Sequence, residues 1–88
     1  MVVEYVLGEN RVTRRPTITV FTPHASKTWS ALTWELGAGR FAPVDGRPAW
    51  TFSLPTNAAF RARAVERIAL AARECYGAEP VELAGVAV

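Results

Sequence analysis

The fold of this chain is decided by the stretch from Ala58 to Tyr76, which reads AAFRARAVERIALAARECY. Its apolar side chains recur at helical spacing and form one stripe, made of Phe60, Ala64, Val65, Ile68, Ala71, Ala72 and Cys75. Thr56 or Asn57 can cap the start of a helix, and Gly77 can end it in the left-handed conformation. We therefore predict an amphipathic helix over these residues, with the stripe facing the core.

The residues just before this helix read as a β-hairpin. From Ala49 to Leu54, apolar side chains alternate with polar ones, as in a strand that is buried on one face only. Asp45-Gly46 is a turn signal, and Arg40 to Val44 supplies the preceding strand. Pro55 ends the second strand, since proline has no amide donor. This pattern predicts a sheet that packs with one face against the helix.

Two strands and a helix are predicted before the hairpin, and one strand after the long helix. They are a strand from Val2 to Leu7, a return strand that starts at Arg11 to Thr13, is interrupted from Arg14 to Pro16 and continues from Thr17 to Thr22, a helix from about Ser26 to Leu36, and a final strand from Val81 to Val88 that we expect to pair with the first. The order is β-β-α-β-β-α-β. It predicts a single α+β domain over residues 1–88, with a mainly antiparallel sheet and two helices on one face.

The composition agrees with one folded domain. Half of the 88 residues are hydrophobic and a fifth are charged, a balance that argues against disorder. Cys75 is the only cysteine, so no internal disulfide can form and a reducing compartment is expected. The sequence shows no signal-peptide pattern, and no apolar run approaches the roughly 20 residues that a membrane span needs. We therefore expect a cytoplasmic protein without a membrane partner.

The sequence contains no pattern typical of an enzyme. His24 is the only histidine, and it follows Pro23 at the predicted start of the first helix, where a turn or capping role is the commoner one. Cys75 lies on the apolar stripe, where cysteine usually acts as a small buried hydrophobe. The segment from Gly37 to Arg40 follows a helix, whereas a phosphate cradle precedes one. We predict a non-enzyme that uses no cofactor, no metal and no small-molecule substrate.

The basic and aromatic residues favour a binding role. Nine of the ten basic residues are arginines, which suit forked contacts to phosphate or carboxylate, although a GC-rich genome would give the same bias. Trp34 lies off the apolar face of the first helix, near Lys27, and can stack on an unpaired base. The candidate nucleic-acid-binding residues are Arg40, Arg47, Lys27, Trp34, Arg63 and Arg67. The alternative is a solvated helix face with ion pairs, since the net charge is only +2.

A series of short motifs runs along the middle of the chain. It consists of ITVFTPH at residues 18–24, a short helix, Gly39-Arg40-Phe41, Ala49-Trp50-Thr51-Phe52, and a helix that ends in Cys75-Tyr76-Gly77. This order resembles the HARP-like modules that occur beside annealing helicases and as short stand-alone proteins of bacteria, plasmids and phages. The chain differs from their pattern at His24, where they have tyrosine, at Ala42, where they have an acidic residue, and at Pro48-Ala49, where they have a basic lead-in.

The resemblance covers residues 17–77 and implies binding to single-stranded or forked DNA without catalysis by the module. It gives Arg40 the greatest weight as a contact residue, and it assigns Trp50 and Phe52 to the core first and to contacts second. Our leading hypothesis is therefore a nucleic-acid-binding module whose affinity falls steeply with salt. The alternative is a small inhibitor or accessory factor of a phage or mobile element, in which Trp34, Leu70 and the sheet edges contact a protein partner or a second copy of the chain.

Overall fold

The described residues of the chain form five strands, two α-helices and one 3₁₀ turn. The structure is a computed structural model and describes residues 2–24, 27–37 and 39–83. In chain order, the elements are β1 (Val2–Glu9), β2 (Pro16–Phe21), α1 (Lys27–Leu32), the 3₁₀ turn (Trp34–Leu36), β3 (Arg40–Phe41), β4 (Trp50–Ser53), α2 (Ala58–Tyr76) and β5 (Glu79–Glu82). This is the predicted α+β class, and the 3₁₀ turn is an element that the sequence did not predict.

The strands form one mixed sheet in the order β3-β4-β2-β1-β5. The pairs β1/β2, β2/β4 and β3/β4 are antiparallel, whereas β5 pairs with β1 in parallel. The last pair is parallel because α2 carries the chain across the sheet from β4 to the far edge, as in a crossover unit. The last strand therefore pairs with the first, as expected, but β5 ends at Glu82, and residues 84–88 of the predicted strand lie outside the described residues.

The inner face of the sheet carries the core. Ile18 lies opposite Phe52 in the register of β2 and β4, and both side chains are buried. The rest of the buried cluster is formed by Val3, Val20, Trp29, Leu54, Ala64, Ile68, Ala71, Ala72 and Ala78. Because α1 and α2 both contribute to this cluster, both helices pack on the same face of the sheet, as predicted.

The opposite side of the sheet, which we call the outer face, is covered by no helix of the described residues. Its side chains are Val2, Glu4 and Val6 of β1, Thr17, Thr19 and Phe21 of β2, Arg40 of β3, Thr51 and Ser53 of β4, and Glu79 and Val81 of β5. None of these described residues is buried. The outer face is therefore open to solvent.

The long helix has its predicted bounds because local sequence caps both ends. The side chain of Asn57 accepts hydrogen bonds from the amides of Ala59 and Phe60, at 2.9 and 3.2 Å. Gly77 follows the helix with a φ of 60°, the left-handed conformation that glycine adopts without strain. The predicted core stripe is wrong at one position, since Phe60 is 57% exposed. It lies in the first turn of α2, one turn before the first buried residue of the helix, Ala64.

The first helix is shorter than predicted. α1 ends at Leu32 instead of Leu36, and the predicted start at Ser26 lies outside the described residues. The buried Thr33 donates its hydroxyl proton to the carbonyl oxygen of Trp29 at a distance of 2.8 Å. A hydroxyl bonded to the preceding helical turn competes with the backbone pattern and bends a helix. The chain accordingly tightens into the 3₁₀ turn, which Gly37 ends with a φ of 88°.

The return strand does not begin at Arg11, and that prediction is wrong. The side chain of Asn10 accepts hydrogen bonds from the amides of Val12 and Thr13, both at 2.9 Å. Asparagine thereby replaces the backbone partners that a strand would supply, and it forms a local turn instead. β2 consequently starts at Pro16.

The turn of the predicted hairpin is confirmed. Asp45 and Gly46 have φ values of 51° and 74°, and a type I′ turn requires positive φ at both central residues. Val44 and Arg47 exchange two backbone hydrogen bonds across this turn, at 2.9 and 3.0 Å. β3 itself is shorter than predicted, because its ladder with β4 covers only Arg40–Phe41.

Candidate functional site

A groove of about 370 Å³ lies where the 3₁₀ turn, the end of β4 and the start of α2 meet. Its lining residues are Leu36, Ser53, Leu54, Pro55, Phe60, Arg63, Ala64 and Arg67. These residues come from three separate parts of the chain, so the groove exists only in the folded protein. We take it as the candidate site because it combines an open apolar surface with two arginines.

The apolar part of the groove follows from the way in which β4 ends. The amide of Leu54 donates to the carbonyl oxygen of Pro16 at 2.8 Å, which holds the end of β4 beside β2. Pro55 then stops the ladder, and Asn57 starts α2 immediately afterwards. The first turn of the helix therefore lies beside the sheet end, with Phe60 at the surface of the groove.

Arginines dominate the charge of this region. Arg63 and Arg67 are four residues apart on α2, so they lie on the same side of the helix, and both line the groove. The first turn of α2 contains no acidic residue. Among the described residues, no carboxylate forms a salt bridge with Arg63. The positive end of the helix dipole adds to the charge of the arginines, so this end of the molecule attracts anions.

Trp34 stands beside the groove. It is 81% exposed, as its position off the apolar face of the first helix predicted. The 3₁₀ turn that carries it also supplies Leu36 to the groove. Residues two apart in a 3₁₀ turn point in different directions, so Trp34 projects away from the groove wall that Leu36 forms.

The structure separates Arg40 and Arg47 from the helix arginines. The Nη2 atom of Arg47 donates to Oε1 of Glu4 at 2.9 Å, and its guanidinium lies 4.2 Å from the centre of the Phe21 ring. Glu4 and Phe21 are neighbours on the outer face, so Arg47 reaches over that face. Arg40 belongs to the same face, where it lies opposite Thr51.

Five of the six predicted contact residues therefore fall on two surfaces. Arg63 and Arg67 belong to the groove, Trp34 stands next to it, and Arg40 and Arg47 belong to the outer face. The side chain of Lys27 lies outside the described residues.

His24 and Tyr76 form a small polar contact at the start of α1. The Tyr76 hydroxyl donates to the backbone oxygen of His24 at 2.8 Å, and the two rings meet edge to face at 5.5 Å. Burial, with a smaller contribution from Cys75, raises the pKa of Tyr76 to about 12. A residue in a turn, the role predicted for His24, makes contacts of this kind. It joins the segment after β2 to the end of α2.

The described residues contain no group of three or more His, Cys, Asp or Glu side chains arranged to hold a metal ion. Within the same part of the chain, no helix has both the length and the apolar character required to cross a membrane.

Sequence reasoning missed most of the groove. Phe60 was assigned to the core because it shares the helical spacing of the buried stripe. The signal that could have placed it at the surface is its position just three residues after the cap, Asn57, where a helix often extends beyond the sheet it covers. Pro55 and Leu36 carried no such signal.

Comparison of the chain with known protein families, with curated protein sequences and with solved structures finds no match. A function for the groove must therefore be argued from its own charge, shape and exposure.

Proposed function

We propose that this protein is a non-catalytic module that binds nucleic acid, as single-stranded or forked DNA, through the groove at the start of α2. The proposal rests on one observation. Arg63 and Arg67 lie on the same side of α2, and both line an open apolar groove. Single strands expose both the phosphates and the base faces that such a surface can contact.

The arginines account for the electrostatic part of binding. Each phosphate that an arginine neutralises releases counterions, so the logarithm of the affinity falls with the logarithm of the salt concentration by about 0.7 per phosphate for single strands. Two arginines therefore imply a slope of about −1.4. This slope is smaller than the steep salt dependence expected from the sequence, because only two arginines line the groove.

The exposed aromatic residues account for a preference for unpaired bases. Stacking of a base on an aromatic side chain contributes about 1–3 kcal/mol. Phe60 lines the groove and is 57% exposed, and Trp34 beside it is 81% exposed. In a duplex the base faces are already stacked on one another, so these side chains favour a single strand or the open part of a fork.

The resemblance to HARP-like modules also points to DNA, but it gives the greatest weight to Arg40. That residue lies on the outer face, so a strand in the groove would have to pass around the β3 edge to reach it. Replacement of Arg40 therefore tests the resemblance, whereas replacement of Arg63 and Arg67 tests the groove.

A protein-binding role is the second candidate. Four residues of the groove are apolar and large, namely Leu36, Leu54, Pro55 and Phe60, and aromatic residues and arginine are enriched in protein interfaces. Leu70, further along α2, is 42% exposed. In this candidate, the protein would be an inhibitor or accessory factor of a phage or mobile element, and it would bind its partner even in high salt.

The test is fluorescence anisotropy with labelled single-stranded, duplex and forked DNA at low and moderate salt. We expect the double variant Arg63→Gln/Arg67→Gln to weaken binding of single strands at least about tenfold, a change easily resolved on the affinity scale. The matched control is Arg11→Gln/Arg15→Gln, which removes the same two charges from the exposed β1–β2 turn and should change affinity less than about twofold.

Two outcomes would refute the proposal. One is an absence of DNA binding even at low salt, which would favour the protein-binding candidate. The other is an equal loss of affinity in the groove variant and in the control, since it would show that only the net charge matters.

A further inference from the structure

The outer face presents a strip of β-branched and aromatic side chains to solvent, which Glu4 interrupts between Phe21 and Val81. On β1 and β5, Val2 is 58% exposed and Val81 is 41% exposed. Val6 of β1 and Phe21 of β2 are half-buried, and the Arg47 guanidinium lies over the Phe21 ring at 4.2 Å. Thr19 and Thr51 continue the strip toward β3, with their hydroxyl oxygens 3.4 Å apart. A flat, mostly uncharged surface of this kind is typical of an interface between sheets.

Each carboxylate of the outer face has an arginine partner. Glu4 pairs with Arg47 at 2.9 Å, and Glu79 pairs with Arg73 at 3.0 Å. The Glu79 interaction lowers the pKa of its carboxyl group below the usual range, through the hydrogen bond from Arg73. Both carboxylates on this face thus have an arginine partner, whereas no carboxylate among the described residues pairs with Arg63 of the groove.

This charge pattern decides between two kinds of occupant. A nucleic acid is drawn to uncompensated positive charge, which among the described residues of the outer face comes from Arg40 alone, whereas Glu4 and Glu79 would lie against its phosphates. A second copy of the chain meets no such penalty, because a two-fold interface sets the same surface against itself and mixed charges can pair across it. Glu4 and Arg47 supply the negative and the positive charge that can pair across such an interface.

The available area is sufficient. A standard protein–protein interface buries about 800 Å² on each partner. The two longer principal dimensions of the molecule are 31 and 28 Å, so one whole face has an area of that order. A small domain also gains stability from such burial, because a short chain buries a smaller fraction of its surface on folding than a long one.

We propose that the protein forms a two-fold symmetric dimer in which the outer faces of two copies pack against each other, with Val2, Val81 and Phe21 at the contact. The helices of both copies then point outward. Both grooves remain accessible, so the dimer does not depend on the function proposed for the groove.

The test is sedimentation equilibrium of the full chain over a wide concentration range. We expect a reversible dimer, and we expect Val81→Lys and Val2→Lys each to raise its dissociation constant at least about tenfold. Both positions are exposed, and Val81 lies on the edge strand β5, where lysine is tolerated. The matched control is Val12→Lys, which makes the same change in the β1–β2 turn at a side chain that is 91% exposed. Circular dichroism establishes that each variant is folded.

Three results would overturn the inference. The first is a wild-type protein that has the mass of one chain at concentrations up to about 1 mM. The second is a dimer that survives both lysine variants but dissociates on Phe60→Ser, which would place the interface at the groove. The third is a dimer in which the outer face stays as accessible as in the monomer while single-stranded DNA protects it, which would make nucleic acid its occupant.

Discussion

Gly39 lies so close to the ring of Phe52 that no side chain fits between them. A Cβ atom at position 39 would lie 2.7 Å from Cζ and 2.8 Å from Cδ1 of Phe52. Gly39 does not have a positive φ, unlike Gly37, so the requirement here is for space and not for backbone conformation. Because Phe52 belongs to the core, this close approach holds the residue that precedes β3 against the centre of the molecule.

The Gly39→Ala variant should therefore be destabilised. An added methyl group must displace the Phe52 ring, and overpacking of a core costs about 1–3 kcal/mol. In a domain of this size, that loss lowers Tm by at least about 4 °C. Thermal unfolding followed by circular dichroism measures it. The control is Gly8→Ala, since the nearest side-chain atom to a Cβ there is 3.5 Å away, and its Tm should be unchanged or higher.

The stability of the protein should fall at alkaline pH because of Tyr76. Its pKa is about 12 in the folded protein, against about 10 in an unfolded chain, so folding favours the neutral phenol. This contribution is fully present below pH 10 and is lost as the pH rises from about 10 through 12. Urea unfolding should thus show wild type more stable than Tyr76→Phe by about 1 kcal/mol near pH 8, where the bond to His24 is intact. The difference should shrink above about pH 11.

A spectroscopic titration checks the same assignment directly. The chain has two tyrosines, Tyr5 and Tyr76, so absorbance of the Tyr5→Phe variant reports on Tyr76 alone. Ionisation of the folded variant near pH 10, the value of a free tyrosine, would contradict the buried environment of this phenol.

The N-terminal cap of α2 should make a measurable contribution to the free energy of unfolding. Asn57 satisfies two amides at the start of the helix, and loss of an N-cap costs about 0.5–2 kcal/mol. We expect Asn57→Ala to lower the urea midpoint by a corresponding amount. Asn57→Asp keeps the acceptor and adds a negative charge near the helix dipole, so it should retain wild-type stability or exceed it. Equal losses in both variants would show that the cap does not stabilise the helix.

The sequence correctly predicted those parts of the fold that depend on residues close together in the chain. α2 has its predicted ends because Asn57 and Gly77 act on adjacent backbone groups. The hairpin turn at Asp45-Gly46 is confirmed for the same reason, since its two positive φ values are a property of those two residues. The α+β class then follows from the two periodicities, 3.6 in the helix and 2 in the strand that precedes it.

In two places, side-chain hydrogen bonds produce a structure that differs from the one predicted by the sequence pattern. Thr33 bonds back to Trp29 and shortens α1, and Asn10 bonds to the two amides that a strand would have used. Both effects are short-range, but each depends on which of several available partners the side chain takes. Residue types alone did not decide between these partners.

The sequence by itself determined the fold class, the ends of α2 and the exposure of Trp34, because each depends on residues within one or two turns of the chain. Only the tertiary structure decided that Arg63 and Arg67 share a groove while Arg40 and Arg47 lie on the outer face. It also decided that Gly39 must leave room for Phe52 and that Phe60 lies at the surface. These relationships join residues far apart in the chain, and they arise only when the helices pack on one side of the sheet and leave the other side open.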